Sequence, residues 1–223
     1  MTALTDLADF KREDSPARRF RARRFELFRS LVDRLPRPVR ILDVGGTVAF
    51  WRTMGLCGEP GISITTLNLE PDPGDTEPGV VALQGDARDL SRFADGSFDV
   101  VFSNSVLEHV GGKEDQRRAA REMQRVGKAY FVQTPNRMFP IEPHFLFPFF
   151  QFLPLAVKIF LLTHLHLGWC GKISDREQAR REAEGIDLLT RRRFREFFPE
   201  AEIWDERFYG LVKSFVAYGG FPG

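Results

Sequence analysis

The sequence predicts an α/β fold, a parallel sheet with an antiparallel pair of strands near the C-terminus, on three observations. Short apolar runs recur, and each stops at polar or small residues: Arg40-Ile41-Leu42-Asp43-Val44-Gly45-Gly46-Thr47, residues 62–69 leading into Glu70-Pro71, Val80-Val81-Ala82-Leu83-Gln84-Gly85-Asp86-Ala87, and Phe98-Asp99-Val100-Val101-Phe102-Ser103-Asn104. Runs of this kind suit strands of a parallel sheet, whose polar ends gather at one edge. A helical pattern over 113–126, with Ala119, Ala120, Met123 and Val126 inward, separates the fourth run from a fifth, Ala129-Tyr130-Phe131-Val132-Gln133. Residues 202–208 and 212–218 then read as strands joined around Tyr209-Gly210-Leu211, and so tight a connection makes them antiparallel neighbours.

Taken in order, the elements have local reasons. Phe20, Leu27, Phe28, Leu31, Val32 and Leu35 recur at helical spacing until Pro36 and Pro38 stop the helix, so residues 1–38 read as a helical cover ahead of the sheet. Its Arg18, Arg19, Arg21, Arg23 and Arg24 read as a solvated face with some ion pairing, diluted by Glu26 and Asp33, with contact to phosphates or anionic lipid as the other reading. The glycines after the first strand serve a tight β–α connection, and they also let backbone N–H groups and a helix N-terminus come close to a ligand. Residues 71–79 are too short and too rich in Pro and Gly for a packed helix, so the crossover helix between the second and third strands is expected to be missing. Ser174-Asp175-Arg176-Glu177 starts a helix by its capping residues, and Arg191-Arg192-Arg193 reads as a solvated helix face.

Composition bounds the function. At 223 residues the chain can bury one full α/β core and is too short for two substantial domains plus linkers. A net charge of +1 gives no bias toward nucleic acid, membrane or acidic substrate. Cys57 and Cys170 have neither metal-ligand spacing nor the density of a disulfide framework, so a reducing cytoplasm is expected and no metal site is assigned. The first residues lack the basic and apolar regions of a secretory signal.

The succession ILDVGGT, LNLEPD, QGDARDL, FDVVFSNSVLEHV and FVQTPNR resembles, in order and spacing, the motifs of class I S-adenosylmethionine-dependent methyltransferases of the small-molecule type, over residues 38–137. The resemblance implies a Rossmann-like methyltransferase domain over 39–223, an α/β fold with a doubly wound, mostly parallel seven-stranded sheet and an antiparallel C-terminal strand, with S-adenosyl-L-methionine as cofactor and methyl transfer by in-line displacement. By the family pattern, Asp43, Gly45, Gly46 and Thr47 lie along the amino-acid end of the cofactor and its ribose–sulfur link. The ribose hydroxyls fall to Asn68, which aligns best, or to Glu70, the nearest acid and the favoured one on chemistry, because a carboxylate accepts two donors at once. Asp86 and Ala87 resemble the residues that meet adenine, and Ser103 and Asn104 sit where a carbonyl meets the ammonium. Each of these is also readable as a strand-end cap. Thr47 and Ala49 stand where the family has glycine, and this departure keeps open a degenerate binding or scaffold protein. An RNA methyltransferase is a second alternative, favoured only by the N-terminal arginines; no nucleic-acid partner is expected.

The sulfonium is already activated, so the protein mainly aligns nucleophile and methyl group. His144, in Pro140-Ile141-Glu142-Pro143-His144, and His109, after Leu107-Glu108, are the candidate proton acceptors. An apolar insert over 137–185 holds His144 and contains Phe145, Phe147, Phe149, Phe150 and Phe152. Pro148, Pro154, Lys158, His164 and His166 interrupt it, against a membrane span. It reads as a lid or wall for a small, apolar or lipid-linked acceptor, as a dimer or peripheral membrane contact, or as plain core. The oligomeric state is not readable.

Overall fold

The computed structural model describes residues 16–70 and 76–223. Five strands, β1 (Val39–Val44), β2 (Ile62–Asn68), β3 (Val80–Gln84), β4 (Phe98–Asn104) and β5 (Gly127–Pro135), run parallel, with the order β3-β2-β1-β4-β5. The sheet continues through β9 (Leu211–Gly219) to β8 (Glu202–Phe208), with β9 antiparallel to both β5 and β8. This is the expected doubly wound sheet of seven strands with its antiparallel C-terminal strand. The β8–β9 turn holds Tyr209 at φ 46° and Gly210 at φ 83°, and two left-handed residues in a two-residue loop give the twist that an antiparallel pair needs.

Helices cover both faces, and strand alternation sorts the side chains between them. Ile41, Ile64, Val100, Phe102 and Phe131 meet α1 (Pro16–Val32) and α2 (Val48–Met54) on one face, where Phe28 and Trp51 are fully buried. Leu42, Val44, Val101, Val132 and Phe215 meet α3 (Lys113–Val126) and α6 (Arg191–Phe197) on the other, with the predicted Ala119, Ala120, Met123 and Val126 inward. The Phe28 ring lies 4.8 Å from that of Phe102 and 5.3 Å from that of Phe131, so α1 contributes to the same core as the strands. A large aromatic in such a place contributes roughly 3 kcal/mol through burial.

Local chemistry sets the helix ends. Thr47 is the N-cap of α2 and accepts from the Phe50 amide at 3.2 Å, while Gly55 closes the helix at φ 73°. Asp175 caps α5 (Arg176–Glu184), as its sequence suggests, accepting from the Gln178 amide at 2.7 Å. The described parts of the β2–β3 connection hold no helix; residues 71–75 lie outside the described set. Residues 85–97 also lack a helix, and α3 compensates. Glu122 accepts from the Leu90 amide, and Arg125 donates to the carbonyls of Leu90 and Phe93, so this irregular backbone keeps its partners.

One expectation is corrected. Arg24 leaves the solvated arginine face of α1 and is buried, donating to both oxygens of Glu206 on β8 and to Asn104. The partner is 182 positions away, and Lys213 and Ser214 complete the group around its carboxylate. Elsewhere Arg191 pairs with Asp205 and Arg193 with Asp187, while Arg192 is exposed.

The apolar insert folds as an arm. A short hairpin of β6 (Ile141–Glu142) and β7 (Phe147–Pro148) leads into α4 (Leu155–His164), which packs on α5 around Phe145, Phe150, Ile159, Leu162 and Ala179. Its outer side exposes Phe149, Phe152, Phe160 and Trp169. No described helix is long and apolar enough to cross a membrane. The insert therefore divides between a small core of its own and an exposed apolar face.

Candidate functional site

A crevice of about 440 Å³ opens at the carboxyl ends of the parallel strands. It lies where β1 and β4 diverge in the strand order, the switch point at which α/β sheets hold their ligands. Val44 and Gly45 of the β1 turn form its floor, Leu67, Asn68 and Leu69 one side, and Gly85, Asp86, Ala87 and Arg88 another. Ser105, Val106, His109 and Val110, following β4, close it. Gly45 sits at φ 81° and a Cβ there would overlap the side chain of Val106, so glycine is required for the two turns to meet. Ser105, at φ 57°, bends the chain out of β4 and is held by its amide and hydroxyl bonds to Gln133.

Of the residues singled out in the sequence, the structure brings Gly45, Asn68, Asp86 and Ala87 together at the crevice. Asn68 donates to the Gly46 carbonyl at 2.6 Å and thereby ties β2 to the turn. Asp86 receives the backbone N–H and the guanidinium of Arg88, and the side-chain bond from Arg88 holds its carboxyl below the usual range.

The others stand behind this lining. Asp43 alternates onto the α1/α2 face, fully buried, where its Oδ2 accepts from the Trp51 indole at 2.6 Å. Burial raises its pKa to about 7 against the lowering effect of that bond, and Oδ1 has no hydrogen-bond partner among the described residues. Gly46 covers this carboxylate, and Thr47 serves α2 as its cap. Ser103 is buried and donates to the Val44 carbonyl, while Asn104 accepts from Arg24. Glu70 lies beyond the end of β2, exposed and outside the crevice lining. The strand register accounts for the difference: Asn68 is the last β2 residue paired with β3, opposite Gln84. Asn68 thus reaches the crevice and Glu70 does not.

At the mouth of the crevice two histidines meet. His109 ends a short 3-10 turn (Leu107–His109), and His144 follows β6. Their Nε2 atoms are 3.1 Å apart and their rings perpendicular. The His144 Nδ1 lies 2.6 Å from Glu142, whose second oxygen accepts the backbone amides of His144 and Phe145 at 2.8 and 2.7 Å. Burial works to lower the His144 pKa, but the Glu142 bond and charge carry it above the ordinary value. His109, hemmed in by protein on its inner side and facing His144, is pushed down to about 4. Glu108 is fully buried beside them. Its Oε2 accepts from Thr134 at 3.0 Å, its Oε1 has no partner among the described residues, and burial raises its pKa to about 7. The sequence reading names both histidines but neither carboxylate; the adjacency Glu108-His109 and the alternation Glu142-x-His144 are the only local signals.

A second cavity of about 360 Å³ lies under the arm. Phe145, Phe150 and Leu155 give it apolar walls, and Arg137, Lys158 and Glu142 charged ones. Burial lowers the Lys158 pKa. Glu142 thus both lines this cavity and orients His144, linking it to the crevice mouth.

Comparisons with known proteins bear on the domain and the fold. Residues 40–130 match the family model described as a methyltransferase domain. A 62-residue stretch is 40% identical to uncharacterized proteins of two Mycobacterium tuberculosis strains, covering 28% of this chain and only 21% of those relatives' length. Among solved structures, the chain is similar to a SAM-dependent methyltransferase from Aquifex aeolicus, with TM-score 0.51 and 12% identity over 96% of this chain and 97% of that one. It is similar also to a possible exported protein from Bordetella parapertussis, with TM-score 0.55, 14% identity and coverage of 89% and 67%. A third is an O-methyltransferase family protein from Burkholderia thailandensis, with TM-score 0.50, 13% identity and coverage of 81% and 50%. At these identities the solved structures bear on the fold alone.

Proposed function

We propose that this chain, whose residues 40–130 match a methyltransferase-domain model, is a class I, S-adenosylmethionine-dependent methyltransferase that transfers a methyl group to a small, apolar or lipid-linked acceptor entering past His109 and His144. The observation that carries the reading is the open crevice at the strand tips, at the switch point between β1 and β4. Its residues suit the cofactor. Leu67, Val106 and Val110 offer apolar walls for adenine, Asp86 an acceptor for its amino group, and Asn68 both an acceptor and a donor for the ribose diol. Gly45 keeps the turn open to the amino-acid end; Asp43, Gly46 and Thr47 set the shape of that turn from behind, as Ser103 and Asn104 do for β4. Glu70 reaches the ribose only by a rearrangement of the segment after β2.

When bound, the cofactor supplies an electrophilic methyl group on sulfur. The chain's own work is alignment, exclusion of water by the arm, and holding the acceptor near the paired imidazoles, where a hydroxyl or amine proton has a neutral ring nitrogen to meet. The exposed Phe149, Phe152, Phe160 and Trp169 support an apolar acceptor and equally a peripheral lipid contact. The sparse cysteine usage, two in 223 residues, supports a cytoplasmic setting.

Calorimetric titration with S-adenosylhomocysteine tests the reading. Saturable binding that weakens in Asn68→Ala and Asp86→Ala but not in Glu70→Ala is the expected result. The absence of heat and of thermal stabilisation at millimolar ligand would favour a scaffold instead, with the Arg88–Asp86 pair as a permanent plug of the adenine position.

A further inference from the structure

We propose that Glu108, His109 and His144 form a binding site for one divalent first-row transition ion at the mouth of the crevice. A carboxylate oxygen of Glu108 and one ring nitrogen of each histidine lie within 4.8 Å of one another. The two Nε2 atoms, 3.1 Å apart, already match a shared ion. Two nitrogens each about 2.1 Å from one ion sit roughly 3.0–3.4 Å apart for octahedral to tetrahedral angles. The third donor, the Glu108 carboxylate, lies within 4.8 Å of both and has to close on the ion as it binds.

Two independent features point to a ligand rather than to a simple histidine pair. The Glu108 Oε1 is buried with no hydrogen-bond partner among the described residues, an arrangement that is costly unless something positive occupies the space beside it. A bond between the imidazoles leaves that oxygen unexplained; an ion explains both. Glu142 then falls into the place of an outer carboxylate: taking the Nδ1 proton of His144 at 2.6 Å, it turns the Nε2 lone pair toward His109. Glu142 is itself fixed by two backbone amides, so the donor is held before the ion arrives.

The donor set of two imidazoles and one carboxylate suits Zn²⁺, Co²⁺, Mn²⁺ or Fe²⁺ better than Ca²⁺. Three protein ligands leave a position open to water or to an oxygen of the acceptor. Because His109 also lines the crevice, a bound ion would sit at its edge, beside the proposed place of methyl transfer. This role rests on the proposed activity, whereas binding of the ion does not.

The test uses the full chain, free of any affinity tag, stripped with chelator and titrated with Co²⁺ while the visible d–d absorption is followed. One equivalent of saturable, coloured site is expected. His109→Ala, a change at an exposed residue, and His144→Ala should abolish it, and Glu142→Gln should weaken it about tenfold as loss of an outer-shell partner does. The double variant His164→Ala/His166→Ala should leave it unchanged. A colourless titration to millimolar Co²⁺, or a site that survives His109→Ala, overturns the proposal. Titration of the same samples with S-adenosylhomocysteine separates the two readings, since failure to bind Co²⁺ with intact binding of that ligand refutes the ion alone.

Discussion

Replacing Glu206 by Gln isolates the charge that fastens the N-terminal helix to the far end of the sheet. The carboxylate is 1% exposed and receives Arg24 at 3.0 Å, Lys213 at 2.9 Å and Ser214 at 2.7 Å. Burial alone would raise its pKa, but the charges of Arg24 and Lys213 and the Ser214 bond bring it down to about 2 from 4.5. A folded pKa below the unfolded one contributes stability that is complete above the unfolded value and disappears as the pH falls toward the folded one. At about 1.4 kcal/mol per pH unit, this difference corresponds to about 3 kcal/mol, lost between roughly pH 5 and pH 2. In Glu206→Gln the Arg24 cation stays buried without a countercharge and the half-buried Lys213 loses its partner, so the variant should unfold about 3–5 kcal/mol more easily at pH 7. Urea unfolding of both proteins across pH 7 to 3 measures this. The gap between them should narrow as the pH falls, because only the wild type loses the contribution. A gap of constant size, or none at neutral pH, would refute the reasoning.

Two further outcomes concern the turn after β1. A Cβ at Gly46 would overlap the Asp43 carboxylate, which the Trp51 indole holds in place, so Gly46→Ala should destabilise by about 1–3 kcal/mol. In an Asp43→Ala background the same change should be far milder, and a double-mutant cycle by chemical denaturation would read the coupling. Asp43 itself has a folded pKa of about 7, above its unfolded value, so the sign is opposite to that of Glu206. Stability should decline as the pH rises from about 4 to 7, and Asp43→Asn, which still accepts from Trp51, should flatten that decline in thermal melts recorded against pH.

How much of this was legible in the sequence depends on whether the cause is local. The runs that became β1, β2, β4 and β5 announce themselves because a strand buried on both faces must be apolar along its length. Tyr209-Gly210 announces its turn because few residues accept two positive φ angles in succession. Thr47 reads as a lost glycine by family pattern, yet here a hydroxyl caps α2, a role that glycine cannot fill with a side chain. Strand register brings Asn68 to the crevice and leaves Glu70 beyond the sheet, a difference that a chemical preference for an acid could not see. Arg24 with Glu206, and His109 with His144, are meetings across 182 and 35 positions. Such pairs leave no periodic trace, since each partner alone looks like an ordinary polar residue.

The three tryptophans, Trp51, Trp169 and Trp204, sit in three different environments. Trp51 is sealed against Phe28 and Phe102 with its N–H on a carboxylate, Trp204 is half-buried on β8, and Trp169 stands in solvent on the arm. The molecule thus carries its own optical labels: emission at short wavelength follows the state of the Asp43 turn, and quenching by a soluble agent follows coverage of the arm. Occupancy of the crevice and engagement of the apolar face can therefore be watched separately in unlabelled protein.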